Sequence, residues 1–108
     1  MPEVNDKRVS VPHPVPRDPA AYRSTTHFGQ RLRQRVPAEH RSWAVADTIR
    51  FGDCRGTTPP QSLTDDSGVV QCFAFAGDAY EVVVGIVPRA FRDPEARHLA
   101  LTIYEVDR

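Results

Sequence analysis

The chain has 108 residues and 12.1 kDa, room for one compact domain, and 40% hydrophobic content, enough for a modest core. That composition argues against wholesale disorder, and no apolar run of about 18 residues exists to span a membrane. Formal net charge is zero, but the average conceals a gradient: Arg23 to Arg55 holds seven arginines against three acids, and Gly56 onward holds four arginines against eight acids. Of the 14 basic residues all but Lys7 are arginine, whose planar fork suits phosphate.

Residues 1–22 carry five of the ten prolines, and V-P-H-P-V-P-R-D-P predicts an extended or disordered arm, with His13 unstructured within it. The globular domain is expected over residues 23–108. The charged, proline-rich start lacks the apolar stretch of a signal peptide, which makes the cytoplasm the default expectation.

The first helix is predicted to begin at Ser24, Thr25 or Thr26, any of which can cap it, and to end near Val36 because Pro37 follows. Phe28, Leu32 and Val36 form its buried stripe. His27, Arg31 and Arg35 repeat at the same spacing, rotated by about 100°. A second helix is expected over Ala38–Arg50 with Trp43, Ala46, Ile49 and Val45 on its buried side, Trp43 as a core anchor and His40 exposed, and Gly52 as the stop. Residues 53–67 read as a loop, and their Asp65-Asp66 pair fits no ligand pattern.

The second half is β-rich. G-V-V-Q-C-F-A-F-A and A-Y-E-V-V-V-G-I-V are joined at Gly77-Asp78, which predicts a two-residue type II′ hairpin. A loop over Pro88 to Arg97 leads to a third strand, in which Leu99, Leu101 and Ile103 should face one way and His98, Ala100, Thr102 and Tyr104 the other. Two helices followed by three consecutive strands predict an α+β domain: helices packed on an antiparallel β-sheet of three or more strands. Cys54 and Cys72 lack metal-ligand spacing and read as reduced thiols, with Cys72 in a strand; no metal or cofactor is called for.

T-H-F-G-Q-R-L-R-Q-R, the short second helix ending in glycine, the hairpin and the final L-T-I-Y together resemble one family. It is an uncharacterised family of small domains with H-x-x-x-R-x-x-x-R near the start and T-x-Y near the end. It is grouped with the RelE, barnase and colicin-type ribonuclease toxins, and the resemblance covers about Ser24 to Val106. It implies a RelE/barnase-like fold, RNA as partner and substrate, metal-independent cleavage, and an antitoxin protein as a further partner. His27, Arg31 and Arg35 match the helix motif, and Thr102 and Tyr104 the strand motif. Arg33 and Arg41 match nothing and are expected at the surface. Where the family often has a polar or imidazole residue in the middle strand, this chain has Tyr80-Glu81 followed by V-V-V.

The residue types suit that chemistry. Cleavage by 2′-hydroxyl attack needs a base, an acid for the leaving 5′-oxygen, and cations for the charge that develops. Histidine titrates near neutrality, and arginine donates two parallel hydrogen bonds to phosphate. Thus His27 is the candidate base, Arg31 and Arg35 the phosphate ligands, and Tyr104 an acid or positioning group with Thr102 beside it. His98 is a second candidate for the acid, or else a solvent-exposed strand end. The alternatives are a non-catalytic RNA- or protein-binding module on the same fold, or a domain whose interface is the sheet.

Overall fold

The computed structural model describes residues His13–Val106. The fold is α+β, with two helices packed on one face of a five-stranded, mostly antiparallel sheet. Strands β1 (Tyr22–Ser24), β2 (Asp53–Thr57), β3 (Gln71–Ala76), β4 (Tyr80–Ile86) and β5 (His98–Glu105) stand in the order β1-β5-β4-β3-β2. β1 runs parallel to the start of β5, and all other neighbours are antiparallel.

Helix α1 spans Thr26–Arg35. Thr25 caps it, its hydroxyl accepting from the Phe28 N–H at 3.1 Å while donating to the Ala100 carbonyl, so one side chain both starts the helix and ties it to β5. At the other end Val36 closes the last turn and Arg41 donates to the Val36 and Arg33 carbonyls at 2.9 and 3.0 Å. Arg41 is thus a cap for α1 rather than a bystander, satisfying carbonyls that the helix end leaves over.

Helix α2 spans Arg41–Phe51 after a single 3-10 turn at Ala38–His40, so the predicted second helix is present in two pieces. Its buried side differs from the expected one. Ala44, Thr48 and Ile49 face the core, whereas Trp43 is exposed and Ala46 only half-buried. Small residues bring this helix close to the sheet, and Thr48 satisfies its buried hydroxyl by donating to the Ala44 carbonyl at 2.7 Å. The approach is closest at Gly52, where a Cβ would lie 2.6 Å from the Thr48 carbonyl oxygen and 3.0 Å from the Ala76 carbonyl.

Both sheet faces are covered. Phe28, Val36, Ala44, Ile49, Phe75, Val82 and Ile103 belong to the layer beneath the helices. Cys72, Ala74, Val83, Leu99 and Leu101 form a second layer under Leu63, Val69 and Val87 from the connecting loops. Burial on two sides explains the near-continuous apolar run of β4. Gly85 in that run makes room for Val69, whose methyls would lie 2.6 and 2.9 Å from a Cβ there.

Several expectations are corrected. Residues 53–57, expected in a loop, form edge strand β2, and residues 22–24 form β1. The β3–β4 connection is not a two-residue type II′ turn: it takes Gly77 to Ala79, and Gly68 is the sole residue with positive φ among those described. Most consequential is a bulge in β5. Val83 pairs with Thr102 and Val84 with Ala100, so Leu101 has no partner. Ala100 and Ile103 therefore lie on the helix side, while Leu99 and Leu101 lie on the other. Thr102 and Tyr104, which alternate with Ile103, follow the second face, not the face of His98.

Residues 1–12 of the proline-rich arm lie outside the described residues. From Val15 the arm packs on the core: Tyr22 donates its phenol to the Pro16 carbonyl at 2.6 Å, and Arg17 donates to the Gly52 and Arg50 carbonyls at 2.8 and 3.3 Å. His13 stacks against Phe91 with centroids 4.6 Å apart.

Gly52→Ala is expected to destabilise the fold by about 1–3 kcal/mol through overpacking against rigid backbone. Urea denaturation of the variant beside the wild type measures it; an unchanged midpoint would mean that α2 and β3 can separate freely.

Candidate nucleic-acid interface

The predicted basic row exists on α1, and its members are held by different means. His27 and Arg31 are half-buried one turn apart. The Arg31 Nε–H points to His27 Nε2 at 3.4 Å, and its Nη1 donates to Gln34 Oε1 at 2.6 Å. Acceptance at Nε2 corresponds to the tautomer with its proton on Nδ1.

Arg35 reaches β5. β1 pairs only with residues 98–100, no described strand pairs with the rest of that edge of β5, and Arg35 Nη1 donates there to the Ile103 carbonyl at 2.7 Å. Its guanidinium carbon then sits 4.9 Å from the centroid of the Tyr104 ring. The cation and the ring meet although they come from opposite layers, since the arginine passes the strand edge. Tyr104 remains 43% exposed. Beside it, Arg33, Arg35, Arg41 and Glu105 help line a shallow notch of about 310 Å³.

The structure therefore joins His27 to Arg31 and Arg35 to Tyr104. Thr102 is apart from both pairs: it is 2% exposed and opposite Val83, in the layer away from the helices. Arg33 is exposed, as expected.

His98 is not a solvent-exposed strand end. It is 2% exposed, flanked by Tyr22 and Phe91 with ring centroids 5.8 and 4.7 Å away, and its Nδ1 accepts the Val87 N–H at 2.9 Å. Burial holds its pKa below the usual histidine value, so the neutral ring is a structural acceptor. Tyr22 of the short strand β1 and Phe91 of the segment before β5 cover it.

The thiols are free: Cys54 is half-buried in β2 and Cys72 buried in β3. Burial pushes Cys72 up to about 11 and raises Cys54 too, although Arg17 opposes the latter shift. Neither is an activated nucleophile. Tyr22 is raised further, by burial first and then by Cys54. Among the described residues no group of three or more His, Cys, Asp or Glu side chains could hold a metal ion, and no helix is long and apolar enough to cross a membrane. The chain matches no known protein family, no curated protein and no solved structure.

His98 yields a pH prediction. Below about pH 6.5 the unfolded chain binds a proton at this histidine more readily than the folded one. Its stabilising contribution is thus complete above that pH and is lost as pH falls further. Urea midpoints at pH 7.5 and 5.0 should fall more for the wild type than for His98→Gln; equal falls would remove His98 as a cause.

Proposed function

We propose that the α1–β5 edge binds RNA through its phosphates and that His27 supports metal-independent cleavage there. The observation that carries this reading is the passage of Arg35 over the edge of β5 onto Tyr104, which continues the His27–Arg31 row to a second titratable group. Arg31 and Arg35 are the phosphate ligands; each has N–H groups beyond those already engaged.

In the proposed reaction His27 Nε2 takes the proton of an RNA 2′-hydroxyl once Arg31 turns from the ring to the phosphate. The 2′-oxygen bonds to phosphorus, the bond from phosphorus to the 5′-oxygen breaks, and a 2′,3′-cyclic phosphate remains. The leaving oxygen takes a proton from water; Tyr104, beside Arg35 about 12 Å along α1 from His27, lies at the far end of the row. The arginines stabilise the added charge on the phosphoryl oxygens. Thr102, buried in the far layer, has no part in substrate contact here.

A second reading, binding without cleavage, is favoured by one observation: both arginines already have partners within the fold, which suits a preformed surface. A toxin-type role, with an antitoxin covering the basic row, extends the first reading.

Labelled single-stranded RNA incubated with the protein in EDTA tests these readings. Cleavage is expected, reduced about 10²- to 10⁴-fold in His27→Ala through loss of the base. Arg31→Ala should lose about 10- to 100-fold, the equivalent of charge-assisted hydrogen bonds of about 1.5–3 kcal/mol. Cleavage indifferent to both substitutions would overturn the site. Salt-sensitive binding without cleavage would select the second reading.

A further inference from the structure

The side of α2 that leaves the core carries Trp43, Asp47 and Phe51 at four-residue spacing, one row on the helix surface. That row faces a cleft of about 540 Å³ whose other wall is the β3–β4 turn. Tyr80 lies at its base, and Asp53 and Asp78 join Asp47 on its walls. Asp47 and Asp53 carry the charge of the cleft, and among the described residues no cationic side chain lines it. None of the described residues engages Asp47 or Asp53 by a hydrogen bond or ion pair.

The aromatic groups lie outside the core in spite of their size. Trp43, 41% exposed, leans on His40 at 5.0 Å and Tyr80 at 6.2 Å, and His40 Nδ1 lies 3.0 Å from the Tyr80 hydroxyl. Phe51 is 80% exposed. A carboxylate between two aromatic side chains suits a flat cation, which can stack on a ring while donating hydrogen bonds in its own plane. The molecule already uses this chemistry close by: Arg17 donates to the Gly52 and Arg50 carbonyls at the end of α2, and its guanidinium lies 5.5 Å from the centroid of Phe75.

We infer that this cleft is a docking site for an arginine side chain of a partner polypeptide. Negative charge turns phosphate away, which separates the cleft from the basic row on α1 and makes the inference independent of the RNA reading. Phe51, a lining residue that is nevertheless 80% exposed, offers apolar surface to the residues flanking the arginine and favours a polypeptide over a free small cation.

Trp43 is the single tryptophan, so its emission reports on the cleft directly. The probe is an acetylated, amidated six-residue peptide with two arginines separated by glycine, titrated into the whole protein. A saturable change in emission is expected, with affinity about tenfold above that of the same peptide carrying citrulline, the neutral isostere. Asp47→Asn and Phe51→Ala, both at exposed positions, should weaken binding about fivefold or more with an unchanged circular dichroism spectrum. Equal binding of the citrulline peptide, or equal binding by Asp47→Asn, would overturn the inference. So would methylguanidinium binding as tightly as the peptide, which marks a small-cation site. An emission change with protein concentration alone, abolished by Asp47→Asn, would assign the cleft to a second copy of this chain and overturn a distinct partner.

Discussion

Leu101 has no residue opposite it on β4, and the direction of every later side chain in β5 follows from that one insertion. Without the bulge, strict alternation would leave Ile103 on the loop side with Leu99 and Leu101, and the layer under the helices would lose a fully buried side chain. With it, Ile103 packs beneath the helices while Leu101 and Thr102 both turn to the other layer. A one-residue offset thus lets a single strand supply two cores in succession. It also sends Tyr104 to the face opposite α1, so that a residue on α1 can meet it only by going past the strand edge.

Parts of this arrangement are visible in the amino-acid order and parts are not, for physical reasons. α1 is legible because a threonine cap, a four-residue apolar repeat and a following proline all agree. The His27–Arg31–Arg35 row is legible from the same period. α2 misleads because the core side of the helix is small or polar, Ala44 and Thr48, while its largest apolar residues, Trp43 and Phe51, are outside. Hydrophobicity is a guide to burial only where the helix does not need to come close to its neighbour. β1 and β2 escape because they are short, and D-C-R-G-T carries the charges that suit a sheet edge. The bulge escapes altogether, since alternation in L-A-L-T-I-Y looks unbroken. The likeness to the ribonuclease toxins is one of motif alone; the structure shows the α+β architecture and the local geometry around each residue of that motif.

The two surfaces singled out have opposite chemistry and sit on different helices. On α1 the cations are ordered by contacts within the fold, which engages some of their donors and would lower the entropy lost in binding an anion. On α2 Asp47 and Asp53 stand among aromatic rings on the walls of a cleft that no cationic side chain of the described residues lines. The basic row and the acidic cleft thus belong to different helices on the same face of the sheet.

Arg35 also has a meaning unconnected with any ligand. Where β1 stops at Ser24, β5 continues to Glu105, and no described strand pairs with the outer edge of that stretch. The guanidinium on the Ile103 carbonyl occupies one position on that edge and brings a charge to the rim, which neither an incoming strand nor a growing aggregate can accommodate without displacing it. The side chain that reaches Tyr104 is therefore also a stopper on the sheet, and selection for solubility alone would retain it.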